Sequence, residues 1–234
     1  FALILCVSYL WRALYGNNQG VYVISLDQML IFMVIAQLLN LLLFSDLPEQ
    51  INDKIYTGSI SIDLIRPFHL WAAWVAEDIG TAISRVIIKG IPLLLFASLI
   101  IAVPKPANVT YFLLFSVSTV LSYVLMTCIS YMVGLTSIWY MDFGNFGAVA
   151  RSIIVFLSGS IIPIWFFPDW FQEISSYLPF IYIYQFPIGI YIGKFSGQEI
   201  LAGLLTQFFW IICGLIGSVL LWRAVKNKIV IQGG

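Results

Sequence analysis

Apolar runs of membrane-spanning length alternate with short polar breaks along almost the whole chain. Residues 28–44, 109–136 and 198–222 are near-continuous apolar stretches. Each reaches the roughly 17 residues that a helix needs to cross a bilayer. Residues 70–103 exceed one crossing and carry Glu77, Asp78, Arg85 and Lys89 in their first half. That pattern predicts a helix that begins in the interface and then spans. Gly90 and Pro92 predict a kink in it, because proline removes a backbone donor. Residues 148–166 predict a fifth span. Residues 1–15 are apolar from Phe1 and predict the outer part of a first span, with a start preceding it expected. They lack the basic flank and cleavage site of a signal peptide. Polar breaks at 16–27, 45–69, 104–108 and 137–147 separate the runs. The whole predicts an all-α integral membrane protein with about six transmembrane helices in one domain, 1–234.

Composition strengthens this reading. The chain is 61% hydrophobic and 9% charged, where a soluble domain carries about 25% charge. So few ionic groups cannot cover a soluble surface. Lys and Arg total 11 against 11 for Asp and Glu, which leaves no basic excess for nucleic acid. Placing both termini in the cytoplasm puts Lys54, Arg66, Arg85, Arg151, Arg223, Lys226 and Lys228 inside, as positive charge near span ends should be. Arg12, Lys105 and Lys194 then lie outside. Trp11, Trp71, Trp74, Trp139, Trp165, Trp170 and Trp222 fall near proposed interfaces. Cys6, Cys128 and Cys213 have neither disulfide nor ligand spacing and read as small buried hydrophobes.

Several chemistries lack their residues. The string nearest to a phosphate loop, GIYIGKF at 189–195, is one residue short between its glycines and has no magnesium-binding hydroxyl. His69 is the single histidine. In this topology it lies at the opposite membrane edge from Ser158 and Ser160, which excludes a serine–histidine pair. No metal-ligand spacing is present.

Three segments stand out. Asp78, Arg85 and Lys89 share one helical stripe, with Glu77 beside it. Charges inside a span line a polar pathway or form a latch. Here an ion-pair set that docks the helix at the cytoplasmic interface is favoured, with Lys89 snorkelling. In 45–57, SDLPEQINDKIYT, Ser45 or Asp46 can cap a helix with Pro48 in its first turn. Leu47, Ile51 and Ile55 then share a face. This predicts a short amphipathic helix along the membrane, or one that docks a cytoplasmic partner. A plain structured loop is the alternative. In 159–193, Pro163, Pro168, Pro179 and Pro187 cut an aromatic stretch containing Trp165 and Trp170 into short pieces. A re-entrant helical hairpin on the outer side fits, since broken helices are tolerated where protein covers their backbone. An aromatic interface cap is the other reading.

In order, these segments resemble the permeases of type-2 ATP-binding-cassette exporters. GSISIDLIRP at 58–67 resembles that family's segment after the second span. SGSIIPIWFFP at 158–168, with LPF at 178–180 and QFP at 185–187, resembles its outer signature. IQGG at 231–234 resembles the terminus of one branch. The resemblance covers essentially the whole chain and implies a fold like that of type V exporters. It implies pairing with a second, identical or related permease in a bacterial-type cytoplasmic membrane. It also implies separate ATPase subunits that bind ATP and magnesium, so that this chain carries no cofactor. Residues 46–56 then resemble the coupling helix and present Asp46, Leu47, Glu49, Gln50, Asp53 and Lys54 to the ATPase. The substrate class implied is amphiphilic: lipid, glycolipid, drug, antibiotic or peptide. An ion-gradient-driven carrier is the alternative, but it needs an ionisable residue near the midplane, and only Lys89 comes close.

Overall fold

A reciprocal cap starts the second helix: Ser25 Oγ accepts the Gln28 N–H, and Gln28 Oε1 accepts the Ser25 N–H. The structure is a computed structural model and describes residues 2–16, 24–65, 70–100, 108–139 and 143–228. Expectations for Arg66, His69, the turn at 104–108 with Lys105, and the terminal IQGG lie outside these residues. Among the described residues the regular structure is all helical, joined by short turns, with no strand. In order the helices are α1 (Ala2–Gly16), α2 (Leu26–Leu43), α3 (Leu47–Tyr56), α4 (Ile60–Ile65), α5 (Leu70–Arg85), α6 (Ile91–Ile100), α7 (Val109–Leu135), α8 (Phe143–Leu157), α9 (Asp169–Ser176), α10 (Gln185–Tyr191) and α11 (Gly197–Val225).

Four helical stretches are long and apolar enough to cross a membrane: Leu26–Tyr56, Leu70–Leu99, Val109–Trp139 and Gly197–Val225. The outer faces of the bundle match that reading. Ile88, Leu95, Leu99, Leu205 and Phe209 are all exposed, a surface that water would not tolerate but hydrocarbon does. α1 and α8 are 15 residues each, short of the roughly 20 needed for a full crossing.

The fifth expected span is corrected. Its helix begins at Phe143 and ends at Leu157 instead of running over 148–166. Gly159 turns the chain with φ +70°, a region open to glycine and strained for other residues. Gln185 Oε1 then accepts the Ile164 N–H at 2.6 Å. Where Gly90 and Pro92 predict a kink, the structure shows a π-turn at Val86–Gly90, with the Ile91 N–H donating to Val86 C=O. The widened turn lies just before Pro92, whose ring crowds the preceding turn and which has no N–H to donate to it. The cysteine expectation holds for Cys128, which is buried, but Cys6 is exposed.

α2 is the central helix. Phe32, Ile35, Leu39 and Leu43 pack with Leu125 of α7, Ile154 of α8, Ile183, Ile188 of α10 and Ile211 of α11. α7 and α11 approach closely because their contact is made of small residues. A Cβ on Gly214 would lie 3.0 Å from Cys128 Cβ, and one on Gly217 3.1 Å from Met132 Sδ. Without a hydrophobic drive in lipid, such close packing and interhelical hydrogen bonds hold spans together. Gln207 supplies those bonds. Its Nε2 donates to Tyr182 C=O at 2.8 Å and Ser122 Oγ at 3.0 Å, and Ser118 Oγ donates to its Oε1 at 3.0 Å. Gln207, Ser118 and Ser122 are fully buried. Gln207→Leu is therefore expected to destabilise the bundle by about 1–2 kcal/mol, because it strands buried partners. A thermal melt in detergent checks this, with exposed Ser98→Ala as the neutral reference.

Each proline between α8 and α11 starts a helical piece. Pro163 precedes the 3-10 turn Ile164–Phe166, Pro168 caps α9, and Pro179 caps the 3-10 turn Phe180–Tyr182. Pro187 lies in the first turn of α10, where its missing N–H is not needed. All of α10 is buried. Phe195 covers Gly189 and Phe186 covers Gly203 at contact distance.

Candidate functional site

α3 owes its position to one face. Leu47 and Ile51 are fully buried with Trp74, Tyr131, Leu135 and Val225. The close approach is made at Gly134 of α7. A Cβ there would meet Ile51 Cδ1 at 2.8 Å and the backbone Cα of Pro48 at 3.1 Å. At its start, Phe44 leaves the helical path with ψ 121° and ends α2. Ser45 Oγ then accepts the Leu47 N–H at 3.3 Å. Asp46 occupies the cap position without a side-chain cap bond, so its carboxylate is available elsewhere.

That carboxylate goes to α5. Arg85 Nη1 lies 3.4 Å from Asp46 Oδ2. Arg151 of α8 lies 2.7 Å from Glu49 Oε1 through Nη2, which also donates to Ser45 C=O at 3.4 Å. Both guanidinium groups lie against the Phe44 ring, at 4.1 Å for Arg151 and 5.1 Å for Arg85. Half-exposed ion pairs contribute up to about 1 kcal/mol each, and a partly desolvated cation–π contact about 0.5–2 kcal/mol. Beneath them, fully buried Asp78 accepts Ser45 O–H at 3.1 Å and Tyr123 O–H at 2.7 Å. At the far end of α3, Lys54 Nζ meets Asp63 Oδ2 of α4 at 2.8 Å, and Trp74 Nε1 donates to the same oxygen at 3.1 Å.

The joint between α2 and α3 is thus tied by directional contacts to α5, α7 and α8. A displacement of α3 cannot remain local. It pulls Arg85 and Arg151 or pushes Gly134. The opposite face of α3 is free to meet something else: Asp53 is exposed, and Tyr56 is 82% exposed. Ile62 and Ile65 of α4 are exposed beside it.

The structure sorts the residues that the sequence singled out. Asp46, Glu49 and Lys54 hold internal partners while staying part-exposed, and Gln50 is half-buried. Leu47 belongs to the buried face. Asp78 and Arg85 of the charged stripe turn into the joint, whereas Glu77 and Lys89 are exposed. In the outer segment, Pro163 and Pro187 are buried, Pro179 is half-buried, and Pro168 and Trp170 are exposed. Trp165 packs edge-on against Phe32 at 5.9 Å and lies under Lys194 Nζ at 4.7 Å. Burial pushes the Lys194 amine below the ordinary lysine range, and Glu199 counters this.

Sequence reasoning missed Phe44, Tyr123, Gly134 and the inward role of Arg151. An isolated glycine in a long apolar helix is the one signal that pointed to Gly134. The partner of Arg151 is 102 positions away and has no local signature.

No curated protein matches the chain. The profile of a family described as "ABC-2 family transporter protein" matches residues 2–233. The chain therefore belongs to that family, as a multi-pass membrane protein and the permease component of an ABC transporter that works with an ABC ATPase subunit.

Proposed function

We propose that this permease exports an amphiphile across a bacterial-type cytoplasmic membrane and that α3 is the helix through which the ATPase drives it. The observation that carries this reading is the two-sided character of α3. One face is locked to α7 through Gly134 and tied to α5 and α8 through Arg85 and Arg151. The other shows Asp53 and Tyr56 to the outside. Asp46, Glu49, Gln50 and Lys54 flank that outer face.

Two permeases, identical or related, pair. ATP and magnesium bind to the ATPase subunits, and this chain carries neither. ATP closes the ATPase dimer, which favours one position of α3. The joint passes that preference to the spans as a shift between inward- and outward-open states. α1 and α8, short helices that a locally thinned bilayer accommodates, complete six spans, the pieces between α8 and α11 form the outer re-entrant hairpin, and both termini are cytoplasmic. The gathering of Lys54, Arg85 and Arg151 around α3 supports that orientation, because span-end cations favour the cytoplasm. The substrate is a lipid, glycolipid, drug, antibiotic or peptide.

A photo-reactive amino acid in place of Asp53 tests the docking face. It is expected to crosslink the ATPase subunit in membranes, while the same probe in place of exposed Trp170 does not. Equal crosslinking from both positions, or none from position 53 in a complex that co-purifies, removes α3 from the interface.

A further inference from the structure

We propose that the cleft between α5, α7 and the end of α11 holds the headgroup phosphate of an anionic phospholipid of the inner leaflet. The proposal borrows only the orientation of the chain from the preceding reading. The cleft has a volume of about 400 Å³. Its chemistry is divided. Leu215 and Val219 give an apolar wall that continues into exposed Ile216 and Leu220 along α11. Arg223 and Lys226 stand at the span end. Among the described residues no carboxylate pairs with either.

Two further polar groups lie sealed beneath the cleft. Ser218 is 5% exposed and lines it, yet its Oγ has no hydrogen-bond partner among the described residues. The buried Nε1 of Trp71, on the facing helix, has none either. Native proteins rarely leave buried donors unmatched. Neither of these atoms reaches the open cleft, so the two cations at its mouth, left without a carboxylate, set the ligand's character: anionic and rich in hydrogen-bond acceptors. A phosphodiester is such a group. The apolar wall beside it selects the source: a free phosphate makes no use of Leu215, Val219 and Leu220, whereas acyl chains lie along them. Basic clefts between spans at the cytoplasmic side are where acidic headgroups bind.

The position has a consequence for the joint. Tyr131 lines the cleft and also belongs to the cluster that seats Leu47 and Ile51. An occupied cleft therefore braces the seat of α3 from behind.

Native mass spectrometry of the purified, delipidated full-length permease tests the assignment, with its ATPase bound or absent. The readout is lipid mass and does not depend on ATP coupling, so it separates this proposal from the preceding one. Phosphatidylglycerol is expected to be retained at least tenfold over phosphatidylcholine, and inorganic phosphate is expected not to displace it. Arg223→Gln with Lys226→Gln should lower retention to the phosphatidylcholine level. Lys89→Gln, whose side chain does not line the cleft, should leave it unchanged. Equal retention of the two lipids by the unmodified protein overturns the proposal without recourse to any variant. So does undiminished phosphatidylglycerol binding by the folded double variant. Displacement by inorganic phosphate overturns the lipid assignment.

Discussion

Gly134→Val is expected to abolish most ATP-driven transport while the protein still inserts and purifies as a folded subunit. The wild-type contact leaves no room for a side chain: a Cβ alone would lie 2.8 Å from Ile51 Cδ1 and 3.1 Å from the Pro48 backbone. Ile51 can swing its terminal methyl, but the backbone of Pro48 cannot yield without moving α3. Overpacking of this kind costs about 1–3 kcal/mol. Most of that strain is released by displacing a short surface helix, not by unfolding the spans. Transport is expected to fall about tenfold or more. ATPase activity should persist in part but lose its dependence on the permease. Gly80→Val is the matched control, because a Cβ there meets nothing within 4 Å. Comparing transport and ATPase rates for the two variants, with size-exclusion profiles as the check on folding, measures the effect.

Reversing charge at Arg151 should have an effect of similar size by a different route. Arg151→Glu removes the guanidinium from the Phe44 face and turns an attraction of 2.7 Å to Glu49 into a repulsion. The ion pair alone is half-exposed and worth little. The repulsion and the lost cation–π contact act together on the one turn that joins α2 to α3. About tenfold loss of coupled transport is expected for Arg151→Glu, and a comparable loss for Glu49→Arg. The double exchange restores the ion pair but not the Phe44 contact, so partial recovery is expected. Transport assays on the two single variants and the exchange decide this. If the double variant is no better than either single one, the pair does not carry the coupling.

Features with a short-range cause were readable before the fold was known. Leu47, Ile51 and Ile55 announce an amphipathic helix by spacing alone, and Pro48 marks its first turn. The long apolar runs give α2, α7 and α11. The prolines at 163, 168, 179 and 187 mark the short pieces, although the sequence shows them as breaks and the structure uses them as starts.

What stayed hidden has a long-range cause. In a helix apolar on all sides, such as Val109–Leu135, the pattern has no phase, so it does not say which face Gly134 or Tyr123 occupies. The span expected over 148–166 was misjudged for a related reason. Hydropathy continues past Leu157, but the backbone turns at Gly159 and is pinned by Gln185, more than twenty positions on. The charged stripe divides because Asp78 and Arg85 find partners across the bundle at Ser45 and Asp46. Spacing places Lys89 on the same stripe, yet it faces outward.

The most direct test of the account is substrate flux in proteoliposomes containing the permease with its ATPase subunit. Flux is expected to require hydrolysable ATP, to survive the collapse of ion gradients, and to be lost when Asp46, Glu49, Asp53 and Lys54 are replaced together. Flux that persists without ATP and stops when a proton or sodium gradient is dissipated would contradict it and identify a gradient-driven carrier instead.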